Sequence, residues 1–384
     1  MESSKTHLLS LALAVSVGLL GMSACAAGTD EESNWLTSSD YRAELGALLP
    51  MAEKGDAEAQ YRAGFLYDQG LGGLADFAIA AKWFKKAALA GHAKAQYRIG
   101  LAYYKAFGVD LDKRTAAEWF GRSAAQGMPG AQYMLAEMLI SGDGVKQDAA
   151  SAVRLYAQAA DGGNLWARKK LGDLYALGEG VPQDSKRAIR EYQTAADAGL
   201  VEATHAIGVL YEFGLPQVEK DARLAQAWHV RGAQEGSARS QYRLGLMYQF
   251  PSKGLVSVPD FAKAAYWYRK AAEQGVTRAQ VNLASILLAG VGVPQDAEQA
   301  FMWTKRAAEQ GEGRAQTNLG LNYLQGAGTA QDLVQARLWL EQAVQQGETG
   351  AQQLLGMLYL HGTGVPEDEA RGKLWLQRAE LNGL

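Results

Sequence analysis

The chain has 384 residues and only one cysteine, Cys25, so no intramolecular disulfide can staple it and stability has to come from packing. Histidine is nearly as scarce. His92, His205, His229 and His361 show no metal-ligand spacing, so each reads as a surface or packing residue and no metal is expected. The longest apolar run, Leu8 to Leu20, is too short to span a bilayer as a mature helix. A net charge of −3 lacks the strongly basic field of a dedicated nucleic-acid binder, so no nucleic acid is expected as partner. Catalytic patterns are missing too. There is no Gly-x-Ser-x-Gly elbow, and the many Gly-x-Gly pairs follow helical rather than strand patterns and lack the later glycine of a phosphate loop. Neither catalytic residues nor a cofactor is expected, and the chain reads as a non-enzyme.

What is present begins with an export segment. A short basic start, Lys5 to His7, precedes the apolar run, which reads as a signal peptide over residues 1–24. The run ends in Gly21-Met22-Ser23-Ala24-Cys25, which resembles the lipobox of bacterial lipoproteins, with Met22 where that family usually has Leu. The resemblance implies lipidation of Cys25, a membrane contact through the N-terminal lipid only and, because Ala26 rather than Asp follows, an outer-membrane lipoprotein facing the periplasm. Cleavage after Ala24-Cys25-Ala26 is the open alternative and would give a soluble periplasmic or secreted protein. Residues 25–39, rich in Ser, Thr, Asp and Glu, read as a flexible tether. An N-terminal capping helix over 40–55, interrupted by Pro50, follows.

From there the chain is periodic. Glycines at 91, 127, 163, 199, 236, 275, 311, 347 and 383 are 36 residues apart save for one interval of 37 and one of 39. They delimit nine units: 56–91, 92–127, 128–163, 164–199, 200–236, 237–275, 276–311, 312–347 and 348–383. In the first unit Ala59, Ala63, Leu66 and Tyr67 share one helical face, helix A. Gly70-Leu71-Gly72-Gly73 ends it, Asp76 can cap the next helix, and Ala80, Trp83, Phe84, Ala87 and Ala88 form the stripe of helix B. Two rows recur in register. Small residues occupy the Ala80 position throughout (Ala116, Ala152, Ala188, Ala225, Ala264, Ala300, Ala336, Gly372). Tryptophan recurs at the Trp83 position (Trp119, Trp228, Trp267, Trp303, Trp339, Trp375), with Leu155 and Glu191 in the units that differ. Small residues allow two helices to approach, and the indole is expected to fill the space between hairpins. An isolated hairpin cannot bury such a stripe on both sides, so the fold class is an all-α solenoid whose repeats stabilise one another.

Phrases such as Ala95-Gln96-Tyr97-Arg98-Ile99-Gly100-Leu101-Ala102-Tyr103 and Gly178-Glu179-Gly180-Val181-Pro182-Gln183-Asp184 resemble the Sel-one-like repeat, a relative of the tetratricopeptide repeat, over about Asp56 to Gly383. The resemblance implies a right-handed α/α superhelix that scaffolds protein complexes. It names no partner.

The positions of Glu58, Arg62, Phe65 and Gln69 share one face of helix A, which in related solenoids looks into a concave groove. Along the chain its first two rows are rich in base, with Lys94, Arg98, Lys170, Arg239, Arg243, Arg278 and Arg314 as candidate partner-binding residues. The third row is largely apolar, with Phe65, Leu101, Val209, Leu246, Leu321 and Met357. Together they suit a protein or peptide partner carrying acidic residues. Trp166, beside Arg168, Lys169 and Lys170, has the composition of a binding hot spot or of a polysaccharide stacking site, provided the cations are exposed. Repeat six replaces its turn with Phe250-Pro251-Ser252-Lys253-Gly254-Leu255-Val256-Ser257-Val258-Pro259, an insertion at the edge of the stack. Three functions follow: an envelope scaffold for another protein, a polysaccharide-binding or export-assembly lipoprotein, and a secreted effector binding host proteins.

Overall fold

The computed structural model describes residues 38–251 and 258–382. The export segment, Cys25, the tether up to residue 37, the middle of the repeat-six insertion and Gly383 lie outside the described residues. The chain divides into two compact units, Met1–Glu219 and Lys220–Leu384. In the first are α1 (Ser38–Glu53), α2 (Ala57–Gln69), α3 (Phe77–Leu89), α4 (Ala93–Lys105), α5 (Lys113–Ala125), α6 (Pro129–Ser141), α7 (Ala149–Asp161), α8 (Leu165–Leu177), α9 (Ser185–Asp197) and α10 (Val201–Phe213). In the second are α11 (Ala222–Gln234), α12 (Ala238–Gln249), α13 (Phe261–Glu273), α14 (Thr277–Ala289), α15 (Ala297–Glu309), α16 (Gly313–Gln325), α17 (Leu333–Gln345), α18 (Thr349–His361) and α19 (Glu369–Asn382). Within each unit, helices that follow one another in sequence pack on one another, which is the all-α repeat solenoid expected.

Punctuation sets these helices. Asp112 accepts from the Thr115 N–H at 3.0 Å as the cap of α5, while its own N–H donates to the Tyr103 carbonyl at 3.0 Å, tying the second helix of the hairpin to the first. Asp148, Asp184, Asp260, Asp296, Asp332 and Asp368 repeat the arrangement. The hydrogen bonds from Thr115 hold the Asp112 carboxyl below its ordinary range, as those from Ser151 and Lys263 do for Asp148 and Asp260. Helix A ends on a residue of positive φ, Gly in most repeats and Ala106 in repeat two, except in repeat six, where Phe250 has φ −128°. The second glycine of the turn does a different job. A Cβ on Gly144 would lie 2.6 Å from the Lys113 carbonyl carbon and one on Gly180 2.7 Å from the Ala149 Cβ, so each turn presses on the first residues of the preceding repeat's helix B.

The Ala80 row is buried as expected. Tryptophan is not the deepest aromatic. Full burial falls one residue later, at Phe84, Phe120, Tyr156 and Tyr192 in the first unit and at Tyr268 and Leu340 in the second. Five of these lie against a glycine of their own helix A where a side chain would collide: a Cβ would come within 2.8 Å of Phe84 at Gly64, 2.7 Å of Phe120 at Gly100, 2.5 Å of Tyr192 at Gly172 and 2.7 Å of Leu340 at Gly320, and would overlap the Tyr268 ring at Gly245. Each side chain so buried contributes about 1.5–3 kcal/mol. The tryptophans instead reach back to the previous repeat, Trp119 into the cluster of Ala80, Phe84 and Ala88, Trp303 into that of Tyr268 and Ala272. Their outer faces are roofed by a cation three residues on, Lys86 over Trp83 at 4.1 Å, Arg122 over Trp119 at 4.5 Å and Arg306 over Trp303 at 4.8 Å.

A second device joins repeats. The buried amides of Gln60, Gln96, Gln132, Gln241, Gln280 and Gln316 each donate to a carbonyl at the end of the preceding helix, Ala52, Ala88, Ala124, Ala233, Ala272 and Ala308. Each of these carbonyls also accepts from the N–H of the glycine three residues on, so the glutamine takes up its second lone pair. Gln126, Gln274, Gln310 and Gln346 then donate to the Oε1 of Gln96, Gln241, Gln280 and Gln316, so that each such amide is held on both sides.

The capping helix departs from expectation. Pro50 does not interrupt it, since α1 runs on to Glu53. Its last turn is held by burial of Ala52 and by the 2.9 Å bond from Gln60 to the Ala52 carbonyl. Gly72 meanwhile presses on Arg42, whose Nε donates to the Gly72 carbonyl at 2.6 Å. Helix α1 thus serves repeat one as a preceding helix B would.

Candidate functional site

In the first unit the face chosen from sequence holds a cavity of ≈ 320 Å³. Helix α4 supplies one wall with Tyr97, Arg98, Leu101 and Lys105, α3 the floor with Phe84 and Ala81, and α6 the far edge with Tyr133 and Met134. Phe77 and Phe107, stacked at 5.4 Å, close one end. Arg98 is half-buried over the Phe65 ring at 5.4 Å and stands 3.7 Å from Asp68. That separation is a loose ion pair and leaves guanidinium donors for a ligand. Lys105, 5.6 Å from the Phe107 ring, has no ion pair among the described residues. An apolar hollow with two cations at its mouth can take a large apolar side chain together with a neighbouring carboxylate.

The other candidates are placed differently. Lys94 is exposed on α4. Trp166 is half-buried on α8, but the cations around it are not the exposed patch expected. Lys169 is buried, 3% exposed, with Nζ 2.9 Å from Asp173. Lys170 pairs with Glu137 at 3.2 Å, and Arg168 with Glu191 at 3.2 Å while also donating to the Ala160 carbonyl at 2.9 Å. Arg168 thus occupies the glutamine row and Glu191 the tryptophan row, and the two replacements meet. The third row, largely apolar elsewhere, holds Glu137 and Asp173 here, and the hydroxyls of Tyr156 and Tyr192 donate to them. Burial and then the adjacent carboxylate push both phenols well above their ordinary value. Val209 is also fully buried and lines nothing open.

In the second unit Arg239, Arg278 and Arg314 are exposed on α12, α14 and α16, and Arg243 is half-buried on α12. Among the described residues no group of His, Cys, Asp or Glu is placed to hold a metal ion, and no helix is long and apolar enough to cross a membrane. His92 acts as a cap, its Nδ1 accepting from the Ala95 N–H at 3.1 Å. Phe77, Lys105, Phe107 and Met134 were missed from sequence. Phe107 left a signal, an aromatic ring inside a Gly-x-Gly-type turn.

Nine stretches of the chain, 57–92, 93–128, 129–164, 167–200, 201–237, 238–276, 277–312, 313–348 and 349–384, match the Sel1 repeat. The chain belongs to the Sel1 repeat family. Such repeats are in general protein-interaction scaffolds. Among solved structures it is similar to c5321, a protective antigen of uropathogenic Escherichia coli displaying an SLR fold, at 32% identity and a TM-score of 0.62, over 88% of this chain and 80% of that one. It is also similar to a Sel1 repeat protein from Oxalobacter formigenes, at 29% identity and a TM-score of 0.68, over 83% of this chain and 93% of that one. No curated protein matches the chain in sequence. In Sel1 terms, the cavity lies on the A-helix face where repeats one, two and three meet.

Proposed function

We propose that this Sel1 repeat protein is a non-enzymatic scaffold of the bacterial cell envelope, exported, lipidated at Cys25 and held to the outer membrane on its periplasmic side. It docks a protein partner on the A-helix face, and the cavity beside Arg98 takes an apolar residue of that partner flanked by carboxylates. The observation that carries the docking is the pairing of an apolar hollow with the loosely held Arg98 and with Lys105. Export and lipidation rest on the residues before Ala26 alone.

Two measurements test the reading separately. A labelled peptide with one Phe or Leu between glutamates should bind the purified mature chain in fluorescence anisotropy, and Arg98→Glu should weaken it at least tenfold, because a charge-assisted hydrogen bond is worth about 1.5–3 kcal/mol. Arg190→Glu, on an exposed site of α9, should leave it unchanged. Equal binding by both variants removes the cavity from the proposal. Mass measurement of the mature amino terminus should give a diacyl- or triacyl-cysteine at Cys25, and an unmodified terminus would release the protein from the membrane.

A further inference from the structure

The B helices of the second unit carry a row that the cavity does not use. Tyr266, Met302, Leu338 and Leu374 recur at intervals of 36 residues, each just before a repeat tryptophan, and are 53%, 49%, 40% and 46% exposed. In the first unit the same position holds Lys82, Glu118, Arg154 and Arg190, all exposed. Charged side chains are what a solvated helix face calls for. Four consecutive large apolar ones in register are not explained by the core, because Trp303, Trp339 and Trp375 beside them already make the contacts to the preceding repeat.

The flanks of the row differ. Four residues on in each helix stand Lys270, Arg306, Gln342 and Arg378, with Arg306 and Arg378 held at the surface by stacking on Trp303 and Trp375 at 4.8 and 4.9 Å. Four residues back stand Ala262, Glu298, Val334 and Ala370, of which three are uncharged. The row is therefore an apolar ladder bordered along one edge by three cations and Gln342. Successive B helices of one stacked solenoid stand about one helix diameter apart, roughly 10 Å. An α-helix laid across them brings every seventh residue to the same face at about 10.5 Å, in step with the rungs. A strand covers that distance in three residues, which turns alternate side chains away.

We infer that repeats six to nine form a second docking surface, on the B-helix side, for an amphipathic helix of a partner protein that carries large apolar residues every seven positions and carboxylates along one flank. About three heptads engage all four rungs. The surface is independent of the Arg98 cavity and of the envelope reading, so either can fail without the other.

The test uses the purified mature chain and two synthetic 28-residue helical peptides with leucine at heptad spacing, one flanked by glutamates and the other by lysines. Fluorescence anisotropy should give saturable binding of the glutamate peptide, at least tenfold weaker binding of the lysine peptide, and at least tenfold loss of the former in Leu338→Asp and in Met302→Asp. Both sites are exposed, and unchanged thermal melts of these variants show that folding is not the cause. Glu118→Lys, in the first unit, should bind like the parent chain. Absence of saturable binding, or equal binding by parent and variants, overturns the inference. So does a concentration-dependent dimer in sedimentation velocity that Leu338→Asp abolishes, which assigns the ladder to a second copy. Cosedimentation with anionic phospholipid vesicles that Leu338→Asp removes overturns it too, in favour of a lipid surface.

Discussion

Replacing Gly328 by alanine separates two roles that glycine plays in the same turn. Gly326 and Gly328 both have left-handed backbones, with φ of 68° and 72°. A methyl on Gly326 would meet nothing nearer than 3.4 Å, an ordinary contact. On Gly328 it would overlap the Ala297 carbonyl oxygen and come within 2.5 Å of its carbon, and that backbone belongs to the first turn of α15 in the preceding repeat. Gly326→Ala therefore costs the left-handed penalty alone, about 1–2 kcal/mol. Repeat two already tolerates it, with Ala106 at φ 59° in the equivalent place. Gly328→Ala adds an overlap with backbone that no rotamer change relieves, about 1–3 kcal/mol more. Guanidinium unfolding followed by far-UV circular dichroism should show a lower midpoint for Gly328→Ala than for Gly326→Ala. Hydrogen exchange should locate the extra loss in repeats seven and eight, since repeats are stabilised by their neighbours. Equal midpoints for the two variants would refute the claim that the second glycine is the point of contact between repeats.

Lys169→Met strands the Asp173 carboxylate in a buried site and should cost about 3–5 kcal/mol in chemical denaturation, with most of it recovered when Asp173→Leu and Tyr192→Phe are added. The buried phenols of Tyr156 and Tyr192 titrate above their unfolded value, so their contribution is complete below about pH 10 and is lost as pH rises through the folded value. The pair Tyr156→Phe and Tyr192→Phe should lose stability less steeply above pH 10 in a circular dichroism titration. The carboxyls of Asp112, Asp148 and Asp260 are depressed below 3.8, so their contribution is present above that value and lost as pH falls through the folded one. Changing all three to Asn keeps the caps and should flatten the acid limb of the same titration.

Helix boundaries were legible because Gly and Asp act locally. A left-handed residue ends a helix and a carboxylate starts one whatever lies beyond, so Gly70 and Asp76 could be read without knowing a neighbour. The partner across a helix crossing was not legible. Periodicity put Trp83 and Phe84 on one stripe but could not tell that Phe84 enters its own hairpin at Gly64, or that one repeat on Trp119 reaches back into the repeat before. Glycine inside helix A reads as a weak helix former until its facing ring is known. The site divides in the same way. Arg98 could be placed on the open face by spacing alone, but the Lys170–Glu137 pair joins side chains 33 residues apart, and only the stacked hairpins show that the cations of repeat four are already satisfied.

Departures from the repeat pattern fall into two kinds. Some are answered inside the fold. Arg168 replaces a glutamine and Glu191 a tryptophan, and the two form a salt bridge while Arg168 still donates to the carbonyl that the glutamine would have served. Ala284 stands where most A helices have glycine, and the facing position holds the small Thr304 rather than an aromatic ring. Such pairs preserve the stack and ask for no partner. Lys105 and Phe107 at the cavity, and the row from Tyr266 to Leu374, are answered by nothing in the core, because their side chains are spent on open faces. Selection for folding alone does not place four large apolar side chains in register on solvent, where charged ones serve in the other unit. The unanswered departures are therefore where recognition should be sought, and substitutions there should change binding while leaving the melting temperature in place.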